Sequence, residues 1–292
     1  MKIYAGIVSY NPDLERLDEN ISAIENQVEK VVLFDNGSVA QQKIVEIYNN
    51  HPKIHILTVP KNQGIAAALN GIMRFAISNG VSWVLTLDQD TICESQLIEN
   101  FLKFVVNDNV AIICPSVRDR NRQEQMILTP QNLPEFEYID CCVTSGSLTR
   151  VSVVEEIGFF NEAMFINEVD TEFCIRLILI GYKIVRVNTV SILHELGRLT
   201  HYFVFPRLGN IFNVDYFKRV KYTSNHSTQR KYYMVRNNIY LFRKYRRYNF
   251  RGKKLLFVKT IIAWFIWERG EFIGKSKALF KGIYDGVVMK LD

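Results

Sequence analysis

The apolar positions of this chain alternate between short unbroken runs and longer stretches spaced at three and four residues. Residues 2–9 (KIYAGIVS), 31–34 (VVLF), 55–59 and 83–87 (WVLTL) are runs of strand length, rich in β-branched and aromatic residues. Between them, residues 13–27 place Leu14, Leu17, Ile21 and Ile24 at helical spacing, and residues 41–48 continue that period. Residues 65–78 form a small-residue helix containing Ala66, Ala67, Ala68 and Gly71. Strands that are apolar throughout, each followed by a helix, predict an α/β fold with a parallel sheet covered on both faces. Further on, residues 95–106 read as a helix, 110–115 as a strand and 151–157 as a helix capped by Gly158. A helix over Phe173, Cys174, Leu177 and Ile178 stops at Gly181, and residues 183–190 form a last strand. Residues 119–134 are polar with two prolines and are expected as an exposed loop or lid.

The polar residues gather where the apolar runs end. The first four strands terminate at Tyr10-Asn11, Asp35-Asn36-Gly37-Ser38, Asn62-Gln63-Gly64 and Asp88-Gln89-Asp90. In parallel sheets ligands bind beyond the carboxyl ends of the strands, so these four ends converge on one site. Asp88 and Asp90 fall on the same side of an extended chain and repel each other unless a cation or proton sits between them. A hard divalent ion, Mg²⁺ or Mn²⁺, with a phosphate on its open side resolves that repulsion. Gly146, between Ser145 and Ser147, permits either a close backbone approach to a ligand or a β-bulge. Asp170 opens a second acidic cluster with Glu172, and either caps the helix behind it or acts in the site. His194 follows the last strand and matters chemically only if it returns to the aspartate pair.

Composition sharpens this picture at one end of the chain. The 292 residues are 48% apolar and 23% charged, an ordinary globular balance, but the net charge of +6 is unevenly placed. Residues 1–215 carry 17 Lys+Arg against 26 Asp+Glu, whereas residues 216–292 carry 19 against 4. Such asymmetry predicts an anionic partner for the C-terminal part. Five cysteines without metal-site spacing, no secretory leader and no apolar run long enough to cross a bilayer predict a cytoplasmic protein. There is no Gly-x-x-x-x-Gly-Lys-Ser/Thr loop for ATP and no evident Ser-His-Asp set for acyl chemistry.

Seven short motifs in order carry a resemblance. They are Val8-Ser9-Tyr10-Asn11, Asp35-Asn36-Gly37-Ser38, Asn62-x-Gly64-x-Ala66-x-Ala68-x-Asn70, Asp88-x-Asp90, Gly146, Asp170-x-Glu172-x-Cys174-x-Arg176 and His194-x-x-Gly197. Over roughly residues 1–200 the chain resembles the family 2 glycosyltransferases, and within them the bacterial rhamnosyltransferase branch. The resemblance implies a GT-A catalytic domain over residues 1–215, with a nucleotide-sugar-binding half to 115 and an acceptor-binding half from 116. It implies that Ser9, Tyr10, Asn11, Asp35 and Asn36 hold the nucleoside, with Asn62, Gly64, Asn70 and Gly146 nearby. Asp88 touches the ribose or the metal, and Asp90 and His194 bind the metal. Asp170 stands where the family's general base sits, with Glu172 second, because Val169 replaces the acidic residue usual just before it. The expected reaction is inverting transfer, from dTDP-L-rhamnose by this resemblance, onto a lipid-linked saccharide of a surface polysaccharide. Alternatives are a UDP-galactose, UDP-glucose or furanose donor, or a nucleotide- or nucleic-acid-binding module without catalysis.

Residues 216–292 form a basic, aromatic, helical extension. Arg and Lys interleave with Tyr232, Tyr233, Tyr240, Phe242, Tyr245, Tyr248 and Phe250 before the apolar run 255–267 (LLFVKTIIAWFIW). This composition predicts an interfacial helix on anionic lipid through residues 216–267, at the inner face of the cell membrane. Pairing with a second copy is the competing expectation, and single-stranded nucleic acid a weaker one, since no recognition motif accompanies the basic residues. Tyr233-x-x-Arg236-Asn237 resembles an element of the same rhamnosyltransferase branch, which implies that Arg236 clamps the donor diphosphate.

Overall fold

The computed structural model describes residues 1–119, 133–194, 199–201, 204–214, 222–224, 226–266 and 271–291. They group into two compact units, Met1–Glu195 and Leu196–Asp292. Residues 196–215, expected with the catalytic part, group with the second unit. Most of the expected loop or lid, residues 120–132, lies outside the described residues, as does Gly197.

The first unit begins with the elements that the apolar pattern predicts, in the same order. These are β1 (Ile3–Ser9), α1 (Leu14–Ile24), β2 (Lys30–Asp35), α2 (Gln41–Tyr48), β3 (Ile54–Thr58), α3 (Ile65–Ser78) and β4 (Trp83–Asp88). Every residue of β1 is buried, as expected for a strand covered on both faces. Asp13 caps α1, its carboxylate accepting from the Glu15 and Arg16 amides at 3.1 and 3.3 Å, and Leu17, Ile21 and Ile24 form the buried stripe. On α3 a side chain at Gly71 would collide with the Phe34 ring, so the glycine brings that helix close to the sheet.

The rest of the unit contributes β5 (Ile92–Cys93), α4 (Leu97–Leu102), β6 (Val110–Asp119), β7 (Phe136–Ile139), β8 (Ser147–Arg150), α5 (Val151–Ile157), α6 (Val169–Leu179) and β9 (Lys183–His194). The sheet has nine strands in the order β3-β2-β1-β4-β8-β6-β9-β5, with β7 also paired to β9. The pairs β1–β2, β2–β3, β1–β4 and β6–β9 are parallel, and the short β5, β7 and β8 run against them. The sheet is thus mostly parallel. Because β2 and β3 lie on one side of β1 and β4 on the other, the strand order reverses between β1 and β4. A crevice opens at their carboxyl ends, the ligand position of such sheets.

Three elements differ from expectation. Helix α4 is confined to Leu97–Leu102, whereas β9 runs past residue 190 to His194 because β5, β6 and β7 all pair along it. Strand β6 continues past Pro115 to Asp119, with its register shifting between Pro115 and Ser116, where proline offers no ladder N–H.

The second unit contains an antiparallel ribbon of β10 (Leu199–His201) and β11 (Tyr222–Ser224), with α7 (Val204–Ile211), α8 (Thr228–Lys244), α9 (Arg251–Ile266) and α10 (Phe272–Val288). Helices α8 and α10 pack along a small-residue seam, Ala278, Gly282 and Gly286. A side chain at Gly286 would stand 2.7 Å from the Arg236 carbonyl oxygen, and one at Gly282 2.8 Å from Val235 Cβ. Arg243 Nη1 locks the seam's end by donating to the Gly286 and Met289 carbonyls at 2.9 and 3.0 Å. This packing corrects the reading of the aromatic stretch. Val235, Tyr240 and Leu241 are fully buried, Phe242 meets Phe250 edge-on at 5.1 Å, and the Tyr232 hydroxyl donates to Asp285 at 2.6 Å. Tyr240 and Phe250 of that stretch thus belong to the unit's own core, while the other aromatics are half-buried around it. Among the described residues no helix is long and apolar enough to cross a membrane.

The seam gives a direct test. Gly286→Val forces a backbone contact that cannot relax through a side chain, and should cost about 1–3 kcal/mol in thermal or denaturant unfolding. Gly252→Ala, which meets nothing within 4 Å, should be neutral or slightly stabilising.

Candidate active site

The crevice is framed by three loops tied to one another through side chains. Asp35, at the end of β2, is fully buried, and its carboxylate accepts from the Ser38 amide at 3.1 Å, the Ser38 hydroxyl and Gln41 Nε2 at 2.7 Å. Ser9, also buried, lies 3.4 Å from the same carboxylate. The Asn11 amide donates to Ser38 Oγ at 2.8 Å, and Asn11 Oδ1 accepts from the Val39 amide at 2.8 Å. Asn36 crosses to the third loop, donating to Asn62 Oδ1 and the Gly64 carbonyl at 3.2 Å each and accepting from the Gln63 amide at 2.9 Å. Asn62 in turn accepts from the Gly64 amide at 2.8 Å. Thus Asp35, Asn36 and Asn62 spend their polar atoms building the pocket wall, while Tyr10 is 45% exposed at its mouth.

Asp88 and Asp90 follow the end of β4, and His194 ends β9. The histidine Nε2 lies 3.6 Å from Asp88 Oδ2 and its Nδ1 3.4 Å from Asp90 Oδ1. The structure therefore brings together three residues more than a hundred positions apart at the extremes. Thr91, fully buried, meets His194 Nδ1 at 3.0 Å and Ser145 Oγ at 2.6 Å, and Ser145 accepts from the Asp88 amide at 3.0 Å. The Thr91 contact at Nδ1 leaves Nε2 as the ring nitrogen turned toward Asp88. Among the described residues no three His, Cys, Asp or Glu donors close on a single cation position. Magnesium-type sites seldom have an all-protein cage and complete their shell with substrate phosphates and water. Asp88, Asp90 and His194 fit a site of that open kind.

Other expected residues have internal work. Asn70 is 1% exposed, and its amide bridges the Phe160 carbonyl and amide at 2.9 Å each and Glu162 at 2.8 Å, pinning α3 to the segment before α6. Its reading as a nucleoside contact is corrected to that of a structural tie. Gly146 has φ +83°, and a side chain there would strike Ile192 at 2.7 Å, so packing against β9 requires glycine at this position. Arg236 lies in the second unit, its guanidinium 4.7 Å over the Tyr233 ring.

The second acidic cluster separates into two roles. Glu172 is fully buried and paired with Arg176 at 2.9 Å, and Arg176 also donates to the Ile157, Gly158 and Phe159 carbonyls at 3.0, 3.2 and 2.7 Å. A carboxylate so engaged does not reach an acceptor hydroxyl, which corrects the reading of Glu172 as an alternative base. Asp170 is not the helix cap either, since Glu168 holds that position in a left-handed conformation. Asp170 stands half-buried in the first turn of α6, where the helix dipole favours a negative charge, and accepts from the Thr171 amide at 2.7 Å. Phe165, Asn167 and Glu168 all have φ near +60°, so the entry to α6 is a strained turn. The Phe165 carbonyl accepts from Ile65 at the start of α3 at 2.7 Å, and a side chain at Gly64 (φ +89°) would collide with Phe165. Glycine at 64 is what lets the two loops touch.

A thiol cluster joins α6 to the aspartate pair. Cys174 Sγ is 4.0 Å from Cys142 Sγ, and Cys141 Sγ is 3.8 Å from Thr171 Oγ1. The Cys142 thiol is held well below its usual range by its contacts with Cys114 and Cys174. Residues 141–145 thus run from beside Asp170's helix to Ser145, which holds Asp88. Sequence reasoning missed Ser145 and Thr91, and also Gln89, whose Oε1 accepts from the Tyr10 amide at 2.8 Å. It missed Asn20, which donates to the Asp88 carbonyl at 2.5 Å. For Asn20 a signal existed, as a polar residue on the apolar stripe of α1.

The family model for glycosyl transferase family 2 matches residues 4–158, more than half the chain, and the chain belongs to that family. Its fold and enzyme class follow: it is a glycosyltransferase with a GT-A catalytic fold. Among individual proteins it is 28% identical over 258 residues to the dTDP-rhamnosyl transferase RfbF of Shigella flexneri, covering 83% of this chain and 80% of that one. Among solved structures it resembles Staphylococcus aureus TarS, residues 1–349, with a TM-score of 0.53 at 12% identity over 99% of this chain and 81% of that one. It also resembles GalNAc-T7 crystallised with UDP, GalNAc and Mn²⁺, with a TM-score of 0.55 at 11% identity over 82% of this chain and 50% of that one. At those identities the likeness concerns the fold.

The division within the acidic cluster is testable. Glu172→Ala strips Arg176 of its buried counter-charge and should destabilise the protein by about 3–5 kcal/mol in denaturant unfolding.

Proposed function

We propose that this enzyme transfers L-rhamnose from dTDP-L-rhamnose, with inversion, to a hydroxyl of a lipid-linked saccharide during assembly of a surface polysaccharide. The observation that carries the donor is the 28% identity to a dTDP-rhamnosyl transferase across four-fifths or more of both chains. The meeting of Asp88, Asp90 and His194 at the mouth of the crevice supports a diphosphate site there. On this reading the loops at Ser9–Asn11, Asp35–Asn36 and Asn62–Gly64 shape the nucleoside pocket, with Tyr10 at its rim. Asp90, Asp88 and His194 would hold Mg²⁺ or Mn²⁺, which when bound supplies Lewis-acid neutralisation of the diphosphate charge. Thr91 and Ser145 hold the imidazole ring and the Asp88 backbone in advance, so the site is ordered before the donor arrives.

Asp170 is the general base. Its carboxylate takes the proton of the acceptor hydroxyl as that oxygen forms its bond to the anomeric carbon, and the bond from that carbon to the diphosphate oxygen breaks. One base without a protein nucleophile implies a single displacement and hence inversion. Glu172 and Arg176 act beneath it by holding the α6 first turn in place.

Two variants separate the roles. Asp170→Asn should reduce transfer by at least about 10²-fold while leaving the donor dissociation constant nearly unchanged in calorimetry, and retained turnover would contradict the assignment. Asp90→Ala should abolish the enhancement of donor binding by Mn²⁺, and a titration identical to that of the wild type would count against its metal role.

A further inference from the structure

Helix α10 shows the solvent a face that a protein of this size ordinarily buries. Phe272, Ile273, Phe280, Tyr284, Val287 and Val288 are each at least half exposed, with Ile273 at 71% and Phe280 at 70%. The spacing of Ile273, Phe280, Tyr284, Val287 and Val288 places them on the side of the helix opposite Lys275, Ala278, Gly282 and Gly286, the buried residues that include the seam with α8, with Phe272 at the helix start. The helix is therefore apolar on both sides: one face of small residues packed on α8, and one face of large residues that no described residue of the unit covers. Of these, Phe272, Ile273 and Phe280 line a groove of about 500 Å³ together with Ser276, Lys277 and Lys281. An exposed patch of this kind marks an interaction site.

The charges around the face identify its partner. The two described carboxylates of this segment are both engaged, Glu271 by Thr228 at 2.8 Å and Asp285 by Tyr232 and Lys281 at 2.6 Å each. Hydrogen bonds from Lys281 and Tyr232 hold Asp285 below the usual carboxylate range, so it stays ionised beside its partners. Lys277 sits on the exposed edge with no described carboxylate assigned to it, within a segment, 216–292, of 19 basic against 4 acidic residues. Against a second copy, two-fold pairing would set Lys277 against its own counterpart with no free described acid to answer it. An anionic bilayer supplies both missing components, an apolar layer for the aromatic face and negative headgroups for its lysine edge. Helix α9 has a related composition, with Leu255, Leu256, Val258 and Ile262 at least half exposed among Lys253, Lys254 and Lys259.

We propose that α10 is a membrane-contacting helix, lying flat on an anionic phospholipid surface with Phe272, Ile273, Phe280 and Tyr284 in the headgroup–acyl boundary and Lys277 on lipid phosphates. This deepens the reading of the acceptor as lipid-linked and extends the expected membrane contact, residues 216–267, to the chain's last helix. The test is flotation of the full-length protein with vesicles of phosphatidylcholine alone and of phosphatidylcholine mixed with phosphatidylglycerol, in the absence of donor and acceptor. The wild type should float with the mixed vesicles, less so at high salt. Ile273→Ser/Phe280→Ser should bind them about tenfold or more weakly, with its circular dichroism and unfolding midpoint unchanged. Val106→Ser, at a position 83% exposed in the first unit, should bind as the wild type does. The proposal is overturned by absence of binding to either vesicle, by equal binding of the double variant, or by a wild-type dimer that the double variant dissociates. Because no sugar nucleotide is present, each of those results leaves the transfer reaction to be judged on its own assay.

Discussion

The structure depends most on the constraint at the end of β4. There two carboxylates one residue apart must be held near an imidazole. A strand end alone does not hold such a pair. The backbone at Asp88 is fixed from three directions: by pairing with β1, by the Asn20 side chain on its carbonyl, and by Ser145 on its amide. Ser145 then passes its restraint through Thr91 to His194, so aspartate and histidine are oriented by one connected set of hydroxyls. Preorganisation of this kind is inexpensive in an α/β sheet because β1, β4 and β9 are rigid and the linking groups are short.

The same logic governs the second half of the site. Asp170 is useful only if the first turn of α6 is in a defined place, and that turn is entered through three residues of left-handed backbone. The strain is compensated by ties on both sides. Asn70 and the Ile65 amide hold the preceding segment to α3, while Arg176 collects Glu172 and three carbonyls behind the helix. The two acidic residues of the cluster are thus one anchor, Glu172, and one group, Asp170, left half-buried for the proposed base. Their burial separates them, since a fully buried paired glutamate and a half-buried aspartate at a helix start cannot exchange duties.

Much of this was legible in the sequence, for identifiable reasons. Leu14, Leu17, Ile21 and Ile24 state their helix by period alone, and the runs ending at Ser9, Asp35 and Asp88 state buried strands by their lack of alternation. The convergence of Asp88, Asp90 and His194 followed from those strand ends and the family resemblance. Residues whose meaning depends on a distant partner were less legible. Asn70 has the look of a site residue until Phe160, ninety positions away, is seen on its amide. Thr91 and Ser145 are ordinary residues until they are seen to touch. Local pattern misled in the second unit, where interleaved basic and aromatic residues suggested a surface although Val235, Tyr240 and Leu241 are core. The spacing Ala278, Gly282, Gly286 carried the missing signal, for small residues four apart define the buried seam and leave the larger ones facing outward.

The account rests on a nucleotide-sugar site whose occupant is a thymidine diphosphate sugar. The most direct measurement is the thermal stability of the full-length protein with dTDP-L-rhamnose, UDP-glucose and UDP-galactose, each with and without Mn²⁺. A ligand that binds the folded state raises the midpoint according to its concentration relative to its dissociation constant. The account predicts the largest rise with dTDP-L-rhamnose, and a larger one with the ion than without it. A greater rise with either UDP sugar, or no rise with any donor, would contradict it.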